Sequence, residues 1–166
     1  MEDDFKPVRN NEECERMITG TYQGVLVMCG DREPYAVPMN HAYQAGRFTF
    51  HCAPFGEKLD LIRSNPRVAY VITHYWGRPE DRGRSLKCHG CWASVIARGT
   101  ARVIEDREEL REAFKRFQAY HGKVSFEPSE KALLETRAIV LDVERMTARR
   151  ENDRKEAEFY TWEREG

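Results

Sequence analysis

The sequence predicts a mainly β protein, a small antiparallel barrel of six strands with short helices at its periphery. Six runs have the apolar content or the two-residue alternation of strands, and most are bounded by glycine or proline. The helical patterns do not alternate with the strands as a parallel βαβ array requires. With 166 residues, the chain is expected to form one domain over residues 1–166, with its core at about 13–146 and a C-terminal tail at 147–166.

The composition is that of a soluble globular protein without a strong overall charge. The formal net charge is −1 at pH 7, and the basic residues are interleaved with acids, which argues against a nucleic-acid surface. No apolar run approaches the roughly 20 residues needed to span a bilayer, and the acidic N-terminus is unlike a secretory signal. We therefore expect a cytoplasmic protein that binds neither nucleic acid nor membrane. The five cysteines, an odd number, do not suggest a disulfide framework.

The first two predicted elements are a short helix and a buried strand. Residues 1–9 are expected to form a loose arm, after which Asn10 or Asn11 can cap a helix that runs through about Ile18. The apolar run Gly24–Gly30 is typical of a short buried strand because glycines bound it on both sides.

The next two strands form a predicted hairpin. Residues 35–43 alternate with a period of two, and Arg47–Cys52 returns after a short glycine-containing loop. Pro38 cannot donate a ladder hydrogen bond, so the first of these strands needs an edge, a bulge or a ligand at that point. Hairpin geometry places His51 opposite Asn40, to within one residue of register.

A short helix with a lysine in its first turn follows the hairpin. The helix is predicted from Gly56 to Ser64, and Asn65-Pro66 stops it. Lys58 lies where a cation is mildly unfavourable to the helix dipole, whereas an anion bound at the same place is favourable. Lys58 is therefore a candidate for holding a phosphate group beside the backbone N–H groups that begin the helix.

The second half of the chain contributes three more strands and two helices. Strands are predicted at Arg67–Tyr75, Trp92–Glu105 and Arg137–Glu144. Gly99 indicates a bulge or bend in the longest of them. Asp106 begins an amphipathic helix with a variant of the capping box, and Pro128-Ser129 begins a short one. The aromatic residues of the C-terminal tail are expected to dock on a partner or a site.

Three segments carry a resemblance to a known family: PYAVPMNHAY, GRFTFHCAPFGEKLDLIRSNPRVAY and WASVIARGTARVIED. From about Glu13 to Arg145 the chain resembles the flavin-binding split-barrel family of pyridoxamine phosphate oxidase-like proteins, and it is most similar to the nitroimidazole-resistance branch. The resemblance implies a six-stranded antiparallel split barrel. It also implies a homodimer with flavin mononucleotide (FMN) bound at the interface.

The resemblance further implies which residues hold the cofactor. The strand Val37–Asn40 would lie beside the isoalloxazine ring, His51 and Cys52 would face it, and Lys58 would hold the phosphate. Ser94 would reach the flavin with a polar side chain. The complete set of predicted cofactor-binding residues is Val37, Pro38, Met39, Asn40, His51, Cys52, Ala53, Gly56, Lys58, Trp92 and Ser94. His51 is the catalytic candidate because an imidazole can shuttle a proton during two-electron transfer.

The function that the resemblance implies is reduction of a small, flat, electron-poor substrate, such as a nitroaromatic, by the bound flavin. A nicotinamide cofactor or a reductase would supply the electrons. Gly56 and Glu57 stand where pyridoxamine phosphate oxidases carry a serine and an arginine, and the C-terminal arginine motif is absent. These departures argue against pyridoxamine phosphate as the substrate. The alternative is a non-catalytic module that binds flavin or haem for sensing, storage or sequestration.

One cysteine motif falls outside this interpretation. Zinc needs about four ligands, and Cys88-His89-Gly90-Cys91 supplies two cysteines with no second such pair elsewhere. The favoured interpretation is a set of small buried residues where a loop enters a strand, so no metal site is predicted. Zinc binding and a redox-active dithiol are the alternatives. Trp76 and Trp92 flank the segment that contains the basic loop at residues 77–87, and they would form either a pocket rim or part of the dimer interface.

Overall fold

The computed structural model describes residues 7–30, 33–75, 92–151 and 157–164. Its strands are β1 (Val8–Arg9), β2 (Gln23–Cys29), β3 (Pro34–Asn40), β4 (Ala42–Gln44), β5 (Arg47–Cys52), β6 (Arg67–Tyr75), β7 (Trp92–Ile104), β8 (Arg137–Glu151) and β9 (Ala157–Glu163). Its helices are α1 (Asn11–Thr19), α2 (Glu57–Ser64), α3 (Arg107–Tyr120) and α4 (Glu130–Glu135). None of these helices has the length and apolar content needed to cross a membrane.

The sheet closes because one interrupted strand pairs on two sides. β3 pairs with β2, and after a break at His41 the chain continues as β4, which pairs with β5. β5 pairs with β8, and from β8 the ladder continues through β7 and β6 back to β2. The predicted mainly β barrel with flanking helices is thus confirmed. The described residues contain nine strands rather than six, because residues 35–43 are split at His41 and because β1 and β9 extend the sheet.

Alternate strand residues fill the barrel interior. Phe48, Phe50 and Tyr70 are fully buried, with the ring of Tyr70 about 5 Å from each phenylalanine ring. The inward faces of α1 and α2 cover this core with Ile18 and Leu59. A smaller apolar cluster attaches α3 and α4 to the ends of β7 and β8. The helices therefore lie around the barrel, as the sequence predicts.

Local sequence signals are realised where they were predicted. Asn10 caps α1, and Asp106 caps α3 by accepting a hydrogen bond from the backbone N–H of Glu109 at 2.8 Å. The register of β7 against β8 shifts immediately before Gly99. A Cβ atom at Gly99 would collide with the carbonyl oxygen of Asp142, so the bulge requires glycine.

The C-terminal segment belongs to the sheet, which corrects the expected tail beginning at residue 147. β8 extends to Glu151, β9 returns antiparallel beside it, and β1, expected within a loose arm, adds to β9. Trp162 is buried in the main core, and its indole N–H donates to the Glu15 carboxylate at 2.9 Å. The sequence did not indicate β9 and the C-terminal half of β8 because only alternate residues of a strand face inward, and the outward-facing residues here are mostly charged.

Candidate cofactor-binding site

β3 is an edge strand with an open outward face. Among the described residues it pairs only with β2, and of the three predicted alternatives for Pro38, an edge, a bulge or a ligand, the structure shows the edge. Ala36, Pro38 and Asn40 are exposed, whereas Met39 is buried and Val37 is half-buried. The predicted wall of the flavin site is therefore an accessible strip of backbone supported from behind by the core.

A buried hydrogen-bonded pair that sequence reasoning did not identify supports β3 from the inside. The Tyr70 hydroxyl donates to the carbonyl oxygen of Met39 at 2.7 Å, and His41 Nδ1 lies 2.9 Å from the same hydroxyl oxygen. Since that hydroxyl has one hydrogen and a carbonyl only accepts, His41 donates from Nδ1. A Cβ atom at Gly24 would lie 2.8 Å from the Tyr70 ring, so the glycine makes room for this contact. A glycine within an apolar strand was the one available signal.

His41 is fully buried at the break between β3 and β4. Burial and the neighbouring His121 lower the pKa of His41 to about 4, and backbone groups of Ile18 and Thr21 oppose this shift. Within the described residues its Nε2 atom is buried without a hydrogen-bond partner. The ring is therefore neutral near pH 7 and serves as a support for the junction between the two strands.

His51 lies on β5 and packs against α3 while remaining exposed. Its ring meets Phe117 edge-on, with centroids 4.6 Å apart. Desolvation of the packed part of the ring, and then the nearby His121, lower the pKa of His51. The imidazole is consequently neutral near pH 7 and can accept or hand on a proton.

The predicted pairing of His51 with Asn40 is not part of the ladder. The register of β4 against β5, with Ala42 opposite Thr49, extrapolates to that pair, but the ladder ends at Thr49. Asn40 pairs with Gln23 instead. The chain breaks between β3 and β4 because β3 pairs with β2 and β4 with β5 to close the barrel.

Lys58 lies at a helix start that the protein itself leaves open. The N-cap of α2 is Gly56, at φ 122°, and it supplies no side-chain cap. A Cβ atom on Gly56 would lie 3.8 Å from Lys58 Nζ, so the ammonium group folds back over the helix N-terminus. Lys58 is half-buried and has no hydrogen-bond or ion-pair partner in the part of the chain that the structure describes. Free N–H groups beside a free ammonium group form a site suited to phosphate.

Cys52 extends this basic region toward the barrel. Burial raises the pKa of its half-buried thiol, while the positive charges of Lys58 and Arg137 oppose that shift. The thiol is therefore protonated near pH 7 and can pack against a ligand, but it is not poised as a nucleophile. Ala53, the next predicted residue, is exposed directly after β5.

Trp92 and Ser94 lie at the opposite end of β7 from the segments near Lys58. Both residues are at the start of β7, where the Arg149 guanidinium lies 5.0 Å from the Trp92 ring centroid. The charge of Lys58 acts on the Cys52 thiol, so these two residues lie near each other. Cys52 pairs with the first residue of β8, and the start of β8 pairs with the C-terminal end of β7. At about 3.3 Å per residue the two ends of β7 are roughly 40 Å apart along the strand.

Two predictions concern residues outside the described ranges. Trp76 and the motif Cys88-His89-Gly90-Cys91 lie between residues 76 and 91, which the structure does not describe. Among the described residues, no three His, Cys, Asp or Glu side chains are grouped as metal ligands. The pocket-rim, zinc and dithiol interpretations therefore stay predictions.

Comparisons with known sequences identify the family to which this fold belongs. A family model described as pyridoxamine 5'-phosphate oxidase matches residues 10–150. An uncharacterized protein of Rhizobium meliloti is 30% identical over 95 residues, which are 57% of this chain and 55% of that protein. The chain thus spans about half the length of the curated relative that it matches.

Several solved structures share the fold. A candidate 5-nitroimidazole antibiotic resistance protein from Bacteroides thetaiotaomicron is 23% identical, with a TM-score of 0.72 over 85% of this chain and 84% of that one. An FAD-binding protein from Mesorhizobium loti is 21% identical, with a TM-score of 0.62 over 84% and 94%. An FAD and haem binding protein from Mycobacterium smegmatis is 15% identical, with a TM-score of 0.68 over 81% and 66%. Likenesses at these identities establish the fold and leave the ligand to be argued from the residues.

Proposed function

The chain belongs to the pyridoxamine 5'-phosphate oxidase family, and from that premise we propose that it binds FMN and reduces a small, electron-poor substrate of the nitroaromatic type. The observation that carries the proposal is the open helix start at Lys58. FMN ends in a phosphate dianion, and an ammonium group beside free helix N–H groups is suited to hold it. No acidic side chain of the described residues is paired with Lys58 and would compete with that phosphate.

The other predicted residues supply the kinds of groups that a flat cofactor needs, namely exposed backbone along its ring and a neutral imidazole. The open strip Val37–Asn40 offers backbone groups and side chains, and Tyr70 holds its backbone in place. When bound, a flavin supplies the capacity to accept and donate electron pairs. The neutral ring of His51 can take up or release a proton at a ring nitrogen, because its lowered pKa keeps it unprotonated near pH 7. Reduction requires an electron donor, for which we propose a nicotinamide nucleotide or a reductase.

A shared site between two protomers is part of the proposal. Trp92 and Ser94 are separated from Lys58 along the length of β7, so they complete the site only from a partner. The open edge and outward face of β3 are available for such an interface. Light scattering coupled to gel filtration tests this arrangement. A flavin-loaded protein that is monomeric would contradict it.

Flavin binding by a lysine variant tests the phosphate site. Lys58→Ala removes a charge-assisted hydrogen bond, so we expect FMN to bind about 1.5–3 kcal/mol more weakly, roughly ten- to hundredfold. Titration of apoprotein into FMN, followed by flavin fluorescence, measures the change. The matched control is Lys123→Ala, an exposed lysine without a side-chain partner in the described residues. Equal affinities of the two variants would remove Lys58 from the site, and a protein that takes up no flavin would refute the proposal.

Binding without turnover is the second candidate function. The exposed, neutral imidazole of His51 favours it, because this form of histidine can ligate haem iron as well as serve a flavin. The visible spectrum of the purified protein separates a flavin from a haem. If a flavin is bound, anaerobic reduction followed by addition of a nitroaromatic tests turnover. Reoxidation by the nitroaromatic supports an oxidoreductase, and its absence supports a storage or sensing module.

A further inference from the structure

A cleft of about 710 Å³ lies between the β4–β5 hairpin and the second half of α3. Tyr43 and Thr49 line it from the hairpin, and Ala119 and Tyr120 line it from the helix. Its volume falls within the roughly 300–1,000 Å³ of small-molecule sites. None of the residues predicted to bind flavin is among its lining residues.

The cleft carries more positive than negative charge. Its charged residues are Arg47, Arg116, Arg164 and Asp142. Arg47 Nε donates to Asp142 Oδ1 at 2.7 Å, and Arg164 donates to the Val143 carbonyl at 2.9 Å. Arg116 has no hydrogen-bond or ion-pair partner among the described residues. The cleft is therefore lined by three guanidinium groups and one carboxylate, and the guanidinium group of Arg116 donates no hydrogen bond to a described residue.

Arg116 differs from the neighbouring cations of α3. Arg111 is paired with Glu127 and Glu130, at 3.0 and 2.6 Å. Lys115 is paired with Glu127 at 2.9 Å. Among the described residues, acidic side chains thus pair with the cations beside Arg116, whereas Arg116 at the cleft makes no ion pair and interacts only through its charge with the more distant Glu109.

The remaining lining groups suit an aromatic molecule with polar substituents. Thr49 is 7% exposed, and its hydroxyl makes no hydrogen bond with a described residue. Burial raises the pKa of the half-buried Tyr120, so its hydroxyl is a neutral donor near pH 7. The Tyr43 hydroxyl already donates to Glu15 and accepts from the Gly46 N–H, so this residue contributes mainly its ring.

We propose that this cleft binds an organic anion, an aromatic or heteroaromatic molecule that carries a carboxylate or phosphate group. The oxyanion pairs with the planar guanidinium of Arg116, which matches both groups in geometry, and the ring packs against Tyr120 and Ala119. Thr49 and His51 are alternate residues of β5, about 7 Å apart along the strand, so the cleft adjoins the flavin site without being part of it. The proposal does not depend on flavin binding.

Three small probes test the charge requirement by calorimetry on the full chain. Phenyl phosphate and benzoate carry the two oxyanions, and benzamide is a neutral molecule of the shape of benzoate. We expect both anions to bind and benzamide to bind at least about tenfold more weakly, the factor expected of a charge-assisted hydrogen bond. Stronger binding of phenyl phosphate points to a phosphorylated ligand, and stronger binding of benzoate points to a carboxylic acid. Benzamide binding as tightly as benzoate would overturn the proposal.

Two variants place the binding in this cleft. Arg116→Gln weakens binding of both anions about tenfold, whereas the control Arg145→Gln, at an exposed arginine of β8 outside the cleft, leaves it unchanged. Ala119→Trp fills the cleft from an exposed helix position and abolishes binding while the circular dichroism and FMN affinity stay the same. The proposal fails if the two arginine variants behave alike or if Ala119→Trp retains full affinity. FMN affinity is measured separately, so such a failure leaves the flavin proposal standing.

Discussion

The N-termini of α2 and α3 are built in opposite ways. At α3 the Asp106 side chain accepts a hydrogen bond from the Glu109 N–H, and the first turn carries acidic residues. At α2 the cap is Gly56, which has no side chain to accept a hydrogen bond, and the first turn carries Lys58 together with the acidic residues Glu57 and Asp60. The start of α3 is capped by a side chain of the protein, whereas the start of α2 is left without a side-chain cap.

The acidic residues near the start of α2 do not alter this contrast. Glu57 is exposed, and Asp60 is paired with Arg63 at 3.1 Å, so neither caps the helix N–H groups. A solvent-exposed helix end can remain uncapped because water satisfies its donors. Such an end together with an unpaired lysine is favourable only when an external anion binds. The difference is the reason why we propose the start of α2, and not that of α3, as the phosphate site.

The largest expected effect comes from reversing the charge of Lys58 in the first turn of α2. Lys58→Glu removes a charge-assisted hydrogen bond and adds repulsion toward the phosphate, so FMN affinity should fall by about 4 kcal/mol, roughly a thousandfold. Titration with FMN at constant ionic strength measures it. Lys123→Glu, with the same charge change at an exposed site, should bind FMN normally. Comparable losses in both variants would mean that net charge, and not the helix start, governs binding.

The next largest effect is on the pH dependence of stability, and it concerns the contact between the C-terminal end of α3 and His41. The C-cap residue His121 places its Nε2 atom 3.0 Å from the His41 carbonyl oxygen. Burial, and then the neighbouring His121, lower the pKa of His41 from 6.5 to about 4. The unfolded chain therefore binds more protons at this site between pH 6.5 and 4. Stability is fully present above pH 6.5 and declines as the pH falls through that window, by up to about 3 kcal/mol for this group.

Urea unfolding at several pH values measures this decline, and His41→Asn is the matched control. The amide N–H of asparagine can replace the Nδ1–H donor, but the side chain does not titrate. The variant is expected to be less stable at pH 7 and to lose less additional stability between pH 6.5 and 4. An unchanged pH dependence in His41→Asn would show that other groups cause the decline.

The smallest effects contrast the two helix starts in the cofactor-free protein. Asp106→Ala removes the cap of α3 and should lower the free energy of unfolding by about 1 kcal/mol. Lys58→Met removes a cation from the first turn of α2 and should change it by no more than about 0.5 kcal/mol. Urea midpoints at pH 7 provide the comparison. An equal or larger loss in Lys58→Met would mean that Lys58 has a structural role.

The elements of the fold were largely predictable because their signals are local. The alternation in Arg47–Cys52, the cap at Asp106 and the bulge at Gly99 each depend on residues within a few positions. The C-terminal strand β9 was missed because a charged strand resembles a solvated tail until its partner is known. Trp162 was the signal of burial, since a large aromatic side chain at a terminus needs a surface to cover it.

The site was predictable residue by residue but not as an arrangement. The sequence by itself determined that Lys58 lies in a first helical turn behind a glycine, that Pro38 needs an edge, a bulge or a ligand, and that strands build the domain. Only the tertiary structure decided that the Tyr70 hydroxyl reaches the Met39 carbonyl and that Ser94 lies at the far end of β7 from Lys58. Caps and periodicity depend on neighbours along the chain, whereas strand partners and buried hydrogen bonds depend on segments that meet only when the barrel closes.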